Sequence, residues 1–167
     1  LADNLGVIHR NVSEGPIRSV EINCYGTLDQ IKPISLSFLR SLLQNRVPER
    51  VNFINAETIA KELGIELSIN YSTSDSNYSN LISARVIAKN DIIFEGSVFN
   101  DDLPRLVNLM GYKMEVNLKG TLLFIQNDDV PGVVGKVGTI LGKNKINIGA
   151  YLLSQHSRKK LAFAVIR

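Results

Sequence analysis

A polar turn followed by a predicted helix start is the segment of this chain best suited to bind a small molecule. Asn127 and Asp129 lie in the turn, and the helix is predicted to begin near Pro131. A helix start presents unpaired N–H groups and partial positive charge, which suit a carboxylate, while the Asn127 amide and Asp129 carboxylate suit an ammonium or hydroxyl group. Asn147, where the next strand is predicted to begin, offers a second amide to the same turn or to that of a second copy. These groups predict a site for a small zwitterion.

The same residues also fit a purely structural role. Asp129 is well placed to cap the helix that follows it, and Asn147 to shape a turn, because Asp and Asn side chains bond to nearby backbone groups. Residue types alone leave both roles open, and the structural one is the commoner.

The rest of the sequence offers no set of catalytic or metal-binding residues. No two glycines lie two positions apart, which excludes a GxGxxG nucleotide fingerprint, and no glycine-rich loop ends in Gly-Lys-Ser/Thr. His9 and His156 are far apart, and His156 is interpreted as a turn residue. Cys24 follows the alternating pattern of a strand, which indicates a buried thiol. Asp101-Asp102 are interpreted as a helix cap. We therefore predict a non-catalytic segment that holds no metal and no cofactor.

Composition narrows the class of protein further. The chain has 167 residues, enough for one ordinary domain or two small ones. A net charge of +3 is too small for a nucleic-acid binder, and no apolar run approaches the roughly 20 residues that span a bilayer. A single cysteine excludes an internal disulfide and suits a cytoplasmic protein. The chain begins with Leu1 and ends at Arg167, and we interpret it as a piece of a longer protein.

Hydrophobic periodicity predicts a mixed α+β unit that ends near residue 119. Residues 1–12 are interpreted as a linker or the tail of a helix from a preceding domain. Period-two alternation predicts strands, and apolar residues at i, i+4 and i+8 predict helices. The strands are expected at 20–24, 65–71, 82–88, 92–98 and 112–117, and the helices at 34–43, 55–64 and 101–110.

The pattern changes at residue 120 to β-α-β-β. The strand at 122–126 is nearly all apolar, as expected when both faces are covered or a partner extends the sheet. One face of the helix that follows lacks side chains, because it carries Gly135, Gly138 and Gly142. Because glycine inside a helix lowers stability, we expect the backbone to approach the sheet or a neighbouring subunit closely there. Strands at 146–154 and 161–166 complete the unit, joined across a basic hairpin at 158–160.

Two stretches resemble known modules. The segment 125–133, followed by Val137-Gly138 and Ile146-Asn147-Ile148, resembles the ACT domain, a regulatory module that binds small molecules. Upstream, the run Val51-Asn52-Phe53-Ile54-Asn55-Ala56 resembles the intervening, or allosteric substrate binding, domain of long-form D-3-phosphoglycerate dehydrogenases. The resemblance implies an intervening domain over 13–119 and an ACT domain over 120–167.

The fold expected from this resemblance is α+β. A mixed α/β intervening domain is followed by an incomplete ferredoxin-like βαββ ACT domain, because a complete ACT domain is βαββαβ. The missing helix and strand imply either a truncated module or one left open for another chain.

The resemblance also implies a function. The parent enzyme would oxidise 3-phosphoglycerate with NAD, the first step of L-serine biosynthesis, and NAD would bind upstream of this segment. L-serine would be the feedback effector, held between two subunits of a homo-oligomer. Asn127 and Asp129 match the turn ligands of such domains and Asn147 the amide after the helix, whereas Val130 departs from the arginine common before Pro-Gly.

An anion site for phosphate or a phosphorylated substrate is implied in the intervening domain. Arg105 stands where a basic residue is expected, and Lys113 or Lys119 would replace arginines that Tyr112 and Asn117 displace. The alternative for Arg105 is a solvated helix residue.

Two other interpretations of the whole chain stay open. One is the ACT-containing part of an iron–sulfur L-serine dehydratase, although the clustered cysteines and the Ser-Ser-His-Thr-like segment expected there are missing from this stretch. The other is a stand-alone domain that senses an amino acid.

Overall fold

A computed structural model describes residues 1–27, 30–73, 78–99, 102–155 and 160–167. The described elements confirm the α+β class and form two sheets of different size. In chain order they are α1 Ala2–Val12, β1 Ser19–Gly26, α2 Lys32–Leu43, α3 Ala56–Glu62, β2 Glu66–Ser72, β3 Asn80–Ile87, β4 Asp91–Val98, β5 Pro104–Leu109, β6 Tyr112–Asn117, β7 Leu123–Asp128, α4 Val133–Lys143, β8 Tyr151–Gln155 and β9 Leu161–Ile166.

The larger sheet has the strand order β2-β1-β3-β4-β5-β6. β1 pairs with β2 in parallel, and the other neighbours are antiparallel. Apolar side chains alternate along its strands, as the period-two pattern predicts, and one face of the sheet forms the core. That face includes Val20, Ile22 and Cys24 of β1, and the full burial of Cys24 confirms the buried thiol.

Helices α1 and α2 cross closely and belong to the same core. Leu5 of α1 and Phe38 of α2 are fully buried. A Cβ added at Gly6 would lie 2.4 Å from the carbonyl oxygen of Phe38, so only glycine permits this approach of the two backbones. Residues 1–12 are thus helical, as expected, and they pack into the core of the larger sheet. The boundaries proposed between the domains remain predictions.

The helix predicted over residues 101–110 is wrong, because this segment forms strand β5. A β-bulge shifts the register between Leu106 and Asn108. The bulge lets Leu106 and Leu109 both be buried although they are three residues apart, a spacing that imitates a helix. Asp102 therefore caps no helix and instead has a positive φ of 56°. Asp101 lies outside the described residues.

The smaller sheet has the order β7-β9-β8, with both pairs antiparallel. With α4 between β7 and β8, it forms the expected ferredoxin-like βαββ unit. The central strand β9 is buried along both faces from Ala162 to Ile166. The ring of Phe163 lies 5.3 Å from that of Tyr112, which joins the core of the smaller sheet to that of the larger one.

Three expectations for the smaller unit need correction. The predicted strand at 146–154 begins only at Tyr151. β7 is an edge strand with Leu123 exposed, so its faces are not both covered. Within the described residues, a Cβ added at Gly135, Gly138 or Gly142 meets nothing within 4 Å, so α4 makes no close approach to the sheet there. Approach to a neighbouring subunit remains a prediction. The predicted roles of His156 and of most of the basic hairpin fall on residues that the structure does not describe.

No helix among the described residues is long and apolar enough to cross a bilayer.

Candidate functional site

The polar turn after β7 leads directly into α4. The backbone N–H of Asp129 donates to the carbonyl oxygen of Lys160 at 3.1 Å, which fixes the turn beside the start of β9. Gly132 then precedes the helix with φ +92°, a left-handed conformation that glycine adopts without strain. No side chain of the described residues caps the start of α4, and Asp129 is exposed. The helix-cap interpretation of Asp129 is therefore wrong, and the first turn of α4 is open to a ligand.

The side chain of Asn127 has a buried oxygen that receives no hydrogen bond from the described residues. Its Nδ2 donates to the carbonyl oxygen of Asp128 at 2.6 Å. Its Oδ1 is buried and accepts no hydrogen bond in the described part of the chain. A buried carbonyl oxygen in this state is costly, so it is suited to a ligand that donates a hydrogen bond.

Asn147 lies at the other end of the smaller sheet. The register aligns Asn127 with Ala162 and Gln155, and Leu123 with Ile166 and Tyr151. The N–H groups of Gly149 and Ala150 both donate to the carbonyl oxygen of Arg167, so the chain before Tyr151 continues beyond that end. At ~3.3 Å per residue, the four-residue offset alone separates Asn147 from the turn by more than about 13 Å. Asn147 therefore does not reach the turn of its own chain.

Arg105 lines a cavity between the two sheets. Its guanidinium carbon lies 4.5 Å from the ring centre of Phe99, in the geometry of a cation–π contact. The cavity has a volume of about 280 Å³, and its polar lining comprises Arg105, Glu115, Asn117 and Arg167. Arg105 is a half-buried strand residue, which corrects the alternative of a solvated helix residue.

Lys113 is not part of this cavity. Arg105 pairs with Asn117 on β6, whereas Lys113 pairs with Asn108 near the turn of the hairpin. The four positions from Lys113 to Asn117 correspond to about 13 Å along the strand. The second cation of the cavity is instead Arg167, which sequence analysis missed. Only the packing of the two sheets relates these arginines, so no local sequence signal identifies the pair.

Among the described residues, no group of three or more His, Cys, Asp or Glu side chains is placed to hold a metal ion.

The architecture defines a class of protein with a mixed six-stranded unit joined to a small ferredoxin-like unit. The family model of the D-3-phosphoglycerate dehydrogenase intervening domain matches residues 1–110. The chain belongs to this family.

Curated relatives extend the similarity past the matched domain. A D-3-phosphoglycerate dehydrogenase of Bacillus subtilis is 33% identical over 151 residues, which cover 89% of this chain and 29% of the relative. The enzyme of Methanocaldococcus jannaschii is 32% identical over 90% of the chain and 29% of the relative. That of Mycobacterium leprae is 27% identical over the whole chain and 33% of the relative. This chain thus spans about a third of the length of these relatives.

Proposed function

We propose that this chain is the C-terminal regulatory part of a cytoplasmic, NAD-dependent D-3-phosphoglycerate dehydrogenase, and that its smaller unit is an ACT domain that binds L-serine as a feedback effector. The relatives carry the name of that enzyme and are about three times as long, which favours a dehydrogenase over the dehydratase and the stand-alone sensor. The catalytic chemistry and NAD binding would belong to the remaining two thirds.

One observation carries the effector site: Asn127, whose Oδ1 is buried and unpaired, lies at the end of β7, and the short turn that follows leads to the uncapped start of α4. L-serine fits both groups. Its ammonium or hydroxyl group would donate to Asn127 Oδ1, and its carboxylate would accept from the N–H groups of the first helical turn. Asp129, exposed in the same turn, supplies a negative charge for the ammonium group.

The site would be completed by a second copy of the chain. Asn147 is too far from the turn of its own chain, but a two-fold arrangement can place it at the turn of a partner. L-serine bound at that seam would stabilise one arrangement of subunits over another. A coupling of about 1–3 kcal/mol between this site and a distant active site is sufficient for regulation.

The cavity between the sheets is the proposed anion site. Arg105 and Arg167 would hold phosphate or a phosphorylated substrate, because paired guanidinium groups suit its oxygens. Since one arginine comes from each sheet, an anion there would link the two units.

Calorimetric titration with L-serine and D-serine tests the effector site. We expect heat of binding with L-serine, and its loss in Asn127→Ala, Asp129→Ala and Asn147→Ala. Asn11→Ala, on α1, is the matched control, since its amide donates to the carbonyl oxygen of Val7 within its own helix. Equal heats for both enantiomers, or binding that survives all three substitutions, would contradict the proposal.

A mixing experiment tests the seam. Asn127→Ala and Asn147→Ala inactivate different halves of a shared site, so a mixed dimer of the two variants keeps one intact site. In an equimolar mixture that exchanges subunits freely about half of the dimers are mixed, so we expect recovery of about a quarter of the L-serine binding that each variant alone has lost. No recovery would argue for a site contained within one chain.

A further inference from the structure

Strand β2 is an open edge of the larger sheet. It pairs with β1 on one side, and no strand within the described ranges pairs with the other. Its sequence, Glu-Leu-Ser-Ile-Asn-Tyr-Ser, has no proline or lysine, and its pairing with β1 is regular from Glu66 to Ser72. Charges, prolines and bulges are the usual protection of such an edge against another strand. β2 lacks them apart from Glu66 at its first position.

The outward backbone groups of β2 can be assigned from its pairing. The N–H of Glu66 donates to the carbonyl oxygen of Arg18 at 2.9 Å, so the backbone N–H and C=O groups of Glu66 point towards β1. Backbone direction alternates along a strand. The N–H and C=O groups of Leu67, Ile69 and Tyr71 therefore point away from β1, towards the open side.

The side chains of these three residues form an apolar stripe. Leu67, Ile69 and Tyr71 are aligned with Val20, Ile22 and Cys24 of β1, on the face of the sheet that carries the core. Ile69 is 38% exposed and Tyr71 is 41% exposed. The apolar face of the sheet thus continues to its edge, where it is left partly uncovered.

We propose that the edge of β2 is an interaction surface for a second copy of this chain, paired antiparallel about a two-fold axis at Ile69. This register sets Ile69 opposite Ile69 of the partner subunit, and Leu67 opposite Tyr71 of the partner subunit. These pairs, and the symmetry-related pair of Tyr71 with Leu67 of the partner subunit, are then hydrogen-bonded pairs, since the residues involved are those whose backbone groups point outward. The two larger sheets become one continuous sheet.

The pattern of β2 is self-complementary in this register. Residues directly opposite share a face, so the apolar stripe of one copy meets that of the other. On the opposite face Ser68 meets Asn70, and the only charged residue, Glu66, meets Ser72. No like charges are brought together. A shift by one residue would place apolar side chains opposite polar ones. The two-fold axis would then lie between two neighbouring residues, of which one has backbone groups that point outward and the other has backbone groups that point towards β1.

Disulfide trapping tests both the contact and its register. A hydrogen-bonded antiparallel pair has Cα atoms ~5.5 Å apart, a separation that a disulfide can bridge. We expect Ile69→Cys to form a crosslinked dimer under mild oxidation. Leu67→Cys and Tyr71→Cys should each fail alone and crosslink when mixed. Ile93→Cys is the control, because Ile93 is equally exposed at 37% but lies on the interior strand β4.

Sedimentation over a range of concentrations tests the association without a crosslink. One strand pair is a small interface, so we expect a weak and reversible dimer. Ile69→Lys would place two like charges at the axis and raise the dissociation constant by about tenfold or more, whereas Ile93→Lys would leave it unchanged. Circular dichroism would confirm that each variant folds.

The outcomes separate this surface from the effector seam. Crosslinking of Ile69→Cys that equals that of Ile93→Cys would overturn the proposal, as would crosslinking of Leu67→Cys alone to the same extent as the mixture. Association that Ile69→Lys does not weaken would place the dimer contact elsewhere and would also overturn it. L-serine binding decides neither result, because Asn127 and Asp129 belong to the smaller unit and β2 to the larger sheet.

Discussion

The Nε2 of His9 lies 3.1 Å from the carbonyl oxygen of Ala84 and joins helix α1 to the centre of the larger sheet. Because a carbonyl oxygen only accepts, Nε2 carries the proton in this bond. The imidazole is fully buried between the rings of Phe38 and Phe94, at centroid distances of 5.5 and 4.8 Å. His9 is therefore a core residue held neutral, and it makes no part of a catalytic or metal site.

This environment predicts an acid-sensitive core. Burial lowers the pKa of His9 from 6.5 to about 4, and the hydrogen bond to Ala84 opposes the shift only partly. The unfolded chain takes up the proton below pH 6.5, whereas the folded chain resists it until about pH 4. The contribution of His9 to the free energy of unfolding should be constant above pH 6.5 and fall by up to about 3 kcal/mol between pH 6.5 and 4.

Urea denaturation at several pH values measures this fall. In His9→Gln the slope between pH 6.5 and 4 should disappear, while His156→Gln, a substitution of the other histidine, should keep it. Carboxylates change the free energy of unfolding only at lower pH. The hydrogen bond from Arg85 lowers the pKa of Asp91 below 3.8, so the contribution of Asp91 to stability is lost only below that value. A slope that persists in His9→Gln would contradict the assignment.

Glycines in two helices should respond to alanine in opposite directions. Gly6→Ala would place a Cβ 2.4 Å from the backbone oxygen of Phe38, and neither backbone can move without separating α1 from α2. We expect a loss of about 1–3 kcal/mol in the free energy of unfolding. A Cβ at Gly138 meets no atom of the described residues within 4 Å, so Gly138→Ala should gain about 0.5–1 kcal/mol from helix propensity. Thermal unfolding of both variants checks the signs, and a destabilised Gly138→Ala would indicate a contact that α4 makes outside this chain.

Much of the larger sheet could be predicted because its strands follow simple periodicity. Along β1, buried Val20, Ile22 and Cys24 alternate with more exposed residues, so one pattern fixes both the element and its buried face. Strand β5 could not be predicted in this way. Its bulge brings Leu106 and Leu109 to the core at a helical spacing, and a bulge is specified by the partner strands rather than by local sequence.

In the candidate sites too, residues close in sequence could be placed together, whereas residues that meet only through the tertiary fold could not. Asn127 and Asp129 are two residues apart, so the sequence alone brings them close together, although Asn127 lies at the end of β7 and only Asp129 in the turn that follows. The position of Asn147 depends on the register of three strands, and that register sends it to the opposite end of the sheet. Arg167 joins Arg105 only because two sheets pack together. Contacts of this kind leave no periodic signature.

The loop before α3 should depend on one asparagine side chain. Asn52 Oδ1 accepts hydrogen bonds from the N–H groups of Ile54 and Asn55, at 2.8 and 3.0 Å. In return, Asn55 Oδ1 accepts from the N–H of Asn52 at 2.7 Å. We expect Asn52→Ala to lower the free energy of unfolding by about 1–2 kcal/mol, because two backbone donors lose their acceptor. Asn52→Asp retains an acceptor oxygen and should recover most of that loss in urea denaturation, and equal losses in both variants would argue against the role of Oδ1.

Anion binding should depend on the two arginines of the cavity and not on the exposed lysine of the hairpin. Arg105 and Arg167 line the same 280 Å³ space, whereas Lys113 pairs with Asn108 at the far end of β6. Glu115 also lines the cavity, so neutralising one arginine leaves its negative charge less compensated. We therefore expect Arg105→Gln and Arg167→Gln each to weaken the binding of inorganic phosphate or 3-phosphoglycerate by about tenfold or more, and Lys113→Gln to change it little. Titration calorimetry at low ionic strength measures these affinities, and Glu115→Gln should strengthen binding. If Lys113→Gln weakened binding as much as Arg105→Gln, the anion would lie on the exposed face of the hairpin and not between the two sheets.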